Sequence, residues 1–297
     1  MSTKRMQKLT ASGMILLECL FWGIGNPLLK IGLGVIPTFW CLSIRFVATF
    51  ILVMLLFRKK LKHTLTRKTA VRCMPVSLFS AAAYLFAAWG LARTQATIAG
   101  FLMSLAVLFT PILSFLVYRE KMRAVQWLPI AVVIGGMWLL CAGTVSGFGI
   151  GEVFAVLTSV AMAGMLVFSA KLLADVDALT LTAVQTGFTG LVCTAAALVL
   201  EGPAVLLTIP ATGWWIMGYI VIVATLFAYL LQNYALARLP AAAVSLLMCS
   251  EPIFTAAASY LILRETLSLS GWIGAVLIMV SLVAATWLEQ RSAAGAA

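Results

Sequence analysis

Long apolar stretches follow one another along almost the whole chain, and they limit the possible folds more than any other feature. A helix that crosses the hydrocarbon core of a bilayer needs about 20 mostly apolar residues. Ten such stretches can be placed, at 12–31, 36–57, 73–92, 95–117, 124–143, 151–172, 178–200, 213–235, 240–263 and 270–288. Only 10% of the 297 residues are charged, whereas soluble domains have about 25%. The sequence therefore predicts an all-α integral membrane protein with ten transmembrane helices.

The basic residues predict the orientation of these helices. With the N-terminus placed inside the cell, 16 of the 20 Lys and Arg residues fall in inside segments and three fall in outside segments, and seven of them lie in the predicted loop 58–72. Lys and Arg collect on the cytoplasmic side of membrane proteins. We therefore expect a multi-pass protein of the plasma (inner) membrane with both termini cytoplasmic. The net charge of +11 is then a topology signal, and we expect no nucleic-acid partner.

Sequence motifs for enzymes and metal sites are missing. The six cysteines are scattered through apolar stretches without C-x-x-C spacing, and the sequence has no H-E-x-x-H, G-x-S-x-G or Walker A motif. Metal-dependent hydrolysis, a nucleophile elbow and ATP-driven pumping need those motifs. We therefore expect no catalytic residues, no metal site and no cofactor.

An internal repeat divides the chain into 1–145 and 146–297, with five spans in each half. A shift of 145 residues aligns 83–127 with 228–272, and a shift of 141 aligns the earlier part of the halves. The aligned residues include Tyr84 with Tyr229, Arg119-Glu120 with Arg264-Glu265, Gly23 with Gly164 and Lys30 with Lys171. Because five is odd, the second half enters the membrane from the opposite side, so the repeats are inverted. Inverted repeats are a recurring design of secondary transporters.

Four segments carry a resemblance to a known family. They are Trp22-Gly23, Arg45-Phe46, the segment 91–120 and its repeat 235–265. Together they resemble the EamA-type branch of the drug/metabolite transporter superfamily. The resemblance implies ten helices in two inverted five-helix repeats, cytoplasmic termini, and export of amino acids or other small metabolites. Pro111 lies four residues later in its repeat than Pro252, which predicts that the two halves break their helices at different depths.

Polar residues inside the spans are the candidate solute site, because such groups are expensive in lipid and usually functional. The predicted substrate-binding residues are Glu251, Glu18, Trp22, Asn26, Tyr84, Ser80, Ser104, Met162, Met165, Tyr229, Gln232 and Thr255. An alternative is that Glu251 only links neighbouring helices. Glu18 lies near the interface instead if the first span begins later than residue 12. Arg45 needs a carboxylate, a carbonyl or a substrate anion as its partner, and we interpret it as a structural residue.

The sequence thus favours a secondary transporter that exports amino acids or other small amphipathic metabolites by alternating access. An uptake permease and an intramembrane lipid-processing enzyme stay open as alternatives. A passive channel is disfavoured, because no ring of charges or repeated selectivity element appears. The expected partners are a small-molecule solute and the lipid bilayer. A coupling proton or cation, and a monomer or a homodimer, are left open.

Overall fold

The structure is a computed structural model that describes residues 3–119, 131–132, 135–136, 138–139, 148–203, 209–248 and 250–294. The helices are α1 (Thr3–Val35), α2 (Thr38–Thr64), α3 (Arg67–Leu91), α4 (Ala96–Met103), α5 (Ala106–Tyr118), α6 (Ile150–Leu172), α7 (Ala178–Leu200), α8 (Ala211–Val221), a π-helix (Ile222–Phe227), α9 (Ala228–Leu236), α10 (Ala241–Met248), α11 (Glu251–Leu263) and α12 (Leu269–Ala294). These ranges contain no strand. Helices suit a lipid environment, because each helix pairs its own backbone N–H and C=O groups.

Seven helical segments of the described chain are long and apolar enough to cross a membrane. They are Gln7–Val35, Thr38–Thr64, Arg67–Leu91, Ala96–Tyr118, Ile150–Leu172, Ala178–Leu200 and Ala211–Leu236. Two shorter apolar helices follow, at Glu251–Leu263 and Leu269–Ser281. The predicted span 124–143 lies mostly outside the described residues. The chain is therefore an integral, multi-pass membrane protein.

The predicted loop 58–72 is mostly helical, so that prediction was wrong. Helix α2 is kinked at Phe57, the predicted end of the span, where the backbone is non-helical with a φ of −119°, and it then runs on to Thr64. Helix α3 begins at Arg67, which leaves two residues between the helices. The hydroxyl of Thr66 accepts a hydrogen bond from the backbone N–H of Thr69 at 3.2 Å and so caps α3. Lys and Arg are good helix formers, so the two helices extend beyond their apolar parts as a charged hairpin.

The two halves break a helix at the same point of the repeat, which also corrects the prediction from the prolines. Helix α4 ends at Met103 and α10 ends at Met248, and these residues are related by the 145-residue shift. Pro111 lies inside α5, seven residues beyond Ser104, where the helix of the first half is broken. A serine hydroxyl bonds the carbonyl three residues back at each break, Ser104 to Phe101 and Ser250 to Leu247. Such local hydrogen bonds compete with regular helix. They occur at both breaks, whereas a proline follows the break directly only in the second half, where Pro252 is the second residue of α11.

Close helix packing brings distant parts of the sequence together around the middle of the bundle. Helix α1 packs along α11 and α9, α3 packs along α6, and α2 packs along α7. Gly23 lies so close to Phe254 of α11 that an added Cβ would overlap the Phe254 Cβ. Small residues allow this approach between membrane helices. The polar side chains of α1 consequently face α9 and α11.

Candidate functional site

A small cavity lies between the helices of both halves, with about 50 Å³ available to the centres of water-sized molecules. Its lining combines apolar, thioether, aromatic and polar groups from Trp22, Gly25, Asn26, Leu29, Arg45, Ala83, Tyr84, Ala87, Leu91, Met103, Thr158, Met162, Met165, Ile220, Ala224 and Glu251. Sites for small molecules are usually mostly apolar cavities with a few placed polar groups. The cavity is therefore the candidate solute site.

Glu251 contributes a carboxyl group to the cavity and is held by α1. The amide nitrogen of Asn26 donates to Glu251 Oε1 at 3.0 Å and to the Thr255 hydroxyl at 3.1 Å. Glu251 is the first residue of α11, so the helix break places its side chain in the middle of the bundle. None of the ion pairs formed by the described residues includes Glu251. The carboxyl is thus positioned by neutral groups and stays accessible from the cavity.

Glu18 lies behind the cavity in a buried polar group that we name the Glu18 cluster, formed by Glu18, Gln232, Asn233, Thr182 and Gln185. Gln232 donates to Glu18 Oε1 at 2.8 Å, and the Asn233 amide donates to Thr182 and to Gln185 at 2.9 Å each. The five side chains are fully buried. Four of their polar atoms, including Glu18 Oε2 and Asn233 Oδ1, have no hydrogen-bond partner among the described residues. Glu18 lies well inside α1, whose apolar segment of membrane-spanning length runs from Gln7 to Val35.

The repeat mates Tyr84 and Tyr229 meet in the structure. Their rings stack with centroids 6.0 Å apart and an interplanar angle of 28°. Tyr84 lines the cavity, whereas Tyr229 is fully buried behind it and shares a 2.7 Å hydrogen bond with Ser80. Tyr229 and Ser80 therefore support the wall of the cavity and do not line it.

Arg45 is a lining residue that the predicted site did not include. Its Nε donates to the Thr225 hydroxyl at 2.6 Å and its Nη2 donates to the Ala224 carbonyl at 3.0 Å. Its guanidinium carbon lies 4.5 Å from the centroid of the Tyr84 ring. Its position in the middle of an apolar span was the available sequence signal. The sequence did not reveal its partners, because they lie about 180 residues away.

Beyond the cavity, near the C-terminal end of α1, lies a polar group that we name the Lys30–Glu265 cluster, formed by Lys30, Glu265, Thr94, Ala96 and Thr97. Lys30 Nζ donates to Glu265 Oε1 at 2.8 Å and to the Thr94 carbonyl at 2.7 Å. The same carboxylate accepts the backbone N–H groups of Ala96 and Thr97 at 3.2 Å each. The cluster thus joins α1, the start of α4 and the segment that precedes α12.

Helix α2 runs from the Lys30 side of the bundle to its opposite end, and that end carries two exposed ion pairs. Lys60 pairs with Asp177 at 2.7 Å and Arg72 pairs with Asp175 at 2.6 Å. Both pairs link the charged hairpin of α2 and α3 to the connection before α7. Exposed pairs of this kind contribute little, about 0–1 kcal/mol each.

Helix α1 connects the polar groups in one stripe. Glu18, Trp22, Asn26 and Lys30 follow one another at intervals of four residues. At about 1.5 Å of rise per residue the stripe is about 18 Å long. It runs from the Glu18 cluster, past the cavity, to the Lys30–Glu265 cluster. A polar path thus crosses the middle of the bundle.

The predicted site residues divide into two groups. Those that line the cavity are Trp22, Asn26, Tyr84, Met162, Met165 and Glu251. Those that do not are Glu18, Ser80, Tyr229, Gln232, Thr255 and Ser104; the hydroxyl of Ser104 bonds the Phe101 carbonyl. Within the described part of the chain, no group of three or more His, Cys, Asp or Glu side chains is placed to hold a metal ion.

Comparisons with known proteins agree with the fold. The sequence model of the EamA-like transporter family matches residues 9–142 and 149–287. A solved structure titled "Crystal structure of protein" is 17% identical, covers 98% of both chains and superposes with a TM-score of 0.66. At this identity the likeness concerns the fold alone. A comparison with curated proteins gives no match.

Proposed function

The chain belongs to the EamA-like transporter family, and on that premise we propose that it is a secondary transporter that exports amino acids or other small amphipathic metabolites. The observation that carries the proposal is the central cavity with a polar cluster beyond each side of it. The Lys30–Glu265 cluster lies beyond Asn26 along α1, and the Glu18 cluster lies on the other side of Trp22. In this proposal the two clusters act as barriers at the two ends of the cavity. A solute can bind between two such barriers and leave when one of them opens.

Alternating access follows from this arrangement if the two halves are inverted five-helix repeats, as proposed from the sequence, within a bundle of ten helices. Each half then offers the same break, at Met103 and at Met248, to opposite sides of the membrane. A broken membrane helix can bend at its break at little cost, because the backbone groups there are already paired locally. The two breaks are the proposed hinges of the two states.

The lining supports an amphipathic solute. Met103, Met162 and Met165 form a flexible apolar part of the wall, and thioether side chains adapt to ligands of varied shape. Asn26 and Glu251 supply the polar part, and their position favours a solute with a hydrogen-bonding or cationic group. An α-amino acid with an apolar side chain meets both requirements.

The direction of transport is proposed from orientation and family. The charge pattern places both termini and the 58–72 hairpin in the cytoplasm, so the Lys30–Glu265 cluster is assigned to the outer side of the inner membrane. Export from the cytoplasm is then the proposed direction, driven by a solute gradient or by a coupled proton or cation. Uptake by the same machinery is the alternative outcome of the test below.

The test is solute flux in proteoliposomes with apolar amino acids, nucleosides and organic cations. A transporter will show saturable flux and counterflow, whereas a channel will show no counterflow and an intramembrane enzyme will change its substrate chemically. Met162→Trp fills the cavity and is expected to abolish flux, while Leu55→Trp, at a lipid-facing position that is 65% exposed, is expected to preserve it. Equal flux in both variants, or no flux of any solute, would refute the proposal. Inside-out and right-side-out vesicles distinguish export from uptake.

A further inference from the structure

Arg45 is a buried cation among neutral partners. The residue is only 4% exposed, and its two hydrogen-bond acceptors are the hydroxyl of Thr225 and the carbonyl of Ala224. None of the three ion pairs formed by the described residues includes it. The carboxyl groups nearest the cavity, Glu18 and Glu251, bind amide nitrogens of Gln232 and Asn26. An arginine charge without a counter-charge is expensive inside a membrane.

The π-helix explains how Arg45 is held. The Thr225 hydroxyl donates to the carbonyl of Ile220, five residues earlier, and so is free to accept from Arg45. The Ala224 carbonyl accepts from Arg45 and also from the indole of Trp22 at 2.9 Å. Turns of π-helix are rare and frequently occur at functional sites. Here the wider turn offers two acceptors to two side chains that line the cavity.

The guanidinium retains donors for a ligand. Arginine has five N–H groups in one plane, and Thr225 and Ala224 use two of them. The Tyr84 ring covers one face of the group at 4.5 Å, and the Phe46 ring lies 5.3 Å away. The ligand must therefore approach in the guanidinium plane, from the cavity that Arg45 lines. A planar anion such as a carboxylate has the complementary geometry.

We propose that Arg45, positioned by the π-helix, is the anion-binding site of the cavity and recognises a carboxylate of the transported solute. This inference rests on the proposed transport function and narrows its substrate class to carboxylate-bearing metabolites. Thr225 is a positioning residue in this scheme, because it acts on the solute only through Arg45. The solute's carboxylate then pairs with Arg45, which takes part in none of the ion pairs formed by the described residues.

The experiment compares pairs of compounds that differ only in this group. Binding to purified protein is measured by calorimetry for L-leucine and L-leucinamide, L-methionine and L-methioninamide, and 4-methylpentanoate and its amide. The wild-type protein is expected to prefer the carboxylate of at least one pair by about tenfold or more, the amount that one charged hydrogen bond supplies. Arg45→Gln is expected to bring that ratio close to one, and Arg45→Lys is expected to restore part of it.

Three control variants separate recognition from folding. Thr225→Val keeps the charge and the shape and is expected to lower the carboxylate preference without abolishing it. Met103→Leu changes the apolar wall and is expected to affect both members of a pair equally. Arg72→Gln removes an exposed arginine at the end of the bundle and is expected to leave the ratio unchanged.

Two results would overturn the assignment. One is a wild-type protein that binds no carboxylate of the three pairs more tightly than its amide; the other is a ratio that Arg45→Gln leaves intact. Flux assays separate this failure from failure of the transport function. Saturable flux of a solute without a carboxylate would support the transport function and refute the anion-binding role of Arg45. No flux of any solute would refute both.

Discussion

Replacing Glu265 with glutamine tests whether the Lys30–Glu265 cluster holds one end of the cavity closed. Glu265 Oε1 accepts from Lys30 at 2.8 Å and from the Ala96 N–H at 3.2 Å, while Oε2 accepts from the Thr97 N–H at 3.2 Å. Glutamine keeps the volume but has one oxygen. Either Lys30 and the Ala96 N–H or the Thr97 N–H therefore loses its acceptor, and Lys30 loses its negatively charged partner.

The size of the effect follows from these contacts. A hydrogen bond to a charged group contributes about 1.5–3 kcal/mol. The side chains of Lys30 and Glu265 are 29% and 11% exposed, so solvent weakens the pair only in part. We take about 2 kcal/mol for the loss. Each 1.4 kcal/mol changes an equilibrium constant by about a factor of ten. The ratio of closed to open protein is therefore expected to fall by about 30-fold.

The assay is the rate at which an impermeant thiol reagent labels a cysteine inside the cavity. Met103→Cys is introduced into protein whose native cysteines have been replaced, because Met103 lines the cavity and is only 8% exposed. With reagent applied at the Lys30 side, Glu265→Gln is expected to raise the labelling rate by about 30-fold, provided that opening and closing are fast.

Asp175→Asn is the matched control, because it removes an exposed ion pair at the opposite end of the bundle. Its effect on labelling from the Lys30 side is expected to stay within about fivefold, since such pairs contribute at most about 1 kcal/mol. An unchanged rate in Glu265→Gln, or an equal rise in Asp175→Asn, would show that the cluster does not control access.

Three further predictions address the carboxyl group, the orientation and the packing. Glu251→Gln is expected to lower uphill flux by about tenfold or more while the protein still folds, because the amide cannot ionise; wild-type uphill flux and counterflow together would assign Glu251 a structural role. Cysteines at Thr64 and Ser292 are expected to resist an impermeant thiol reagent in intact cells, and efficient labelling of either would refute cytoplasmic termini and hairpin. Gly23→Ala is expected to destabilise the protein in detergent by about 1–3 kcal/mol through overpacking, whereas Gly13→Ala, with open space around it, should melt like wild type.

The positions of the helices were largely predictable because the bilayer acts on each segment separately. Every backbone N–H and C=O in lipid must be paired within its own helix, so a run of apolar residues suffices to indicate a span. The described spans accordingly follow the predicted ones. The break after Met248 was expected from Pro252, which is the second residue of α11. The break after Met103 was missed, because a serine hydroxyl competes for a carbonyl there and Pro111 lies inside α5.

The candidate site was predictable only in part. The rule that polar groups in lipid are functional identified Glu251, Asn26 and Tyr84, which line the cavity. The same rule also selected Gln232 and Thr255, which support lining residues or fill the layer behind them. Periodicity within one helix indicates which residues share a face, but it does not indicate which of the neighbouring helices that face meets.

The sequence by itself determined that the chain lies in a membrane as helices, and the repeat and family marks indicated transport. Only the tertiary structure decided which side chains meet, because the partners are far apart in the chain: Arg45 and Thr225 by 180 residues, Asn26 and Glu251 by 225, and Lys30 and Glu265 by 235. The π-helix was also decided by the tertiary structure, since its sequence IVATLF contains no glycine or proline that would indicate an irregular turn. Its wide turn is accompanied by hydrogen bonds from α1 and α2, and these contacts exist only when the bundle is assembled.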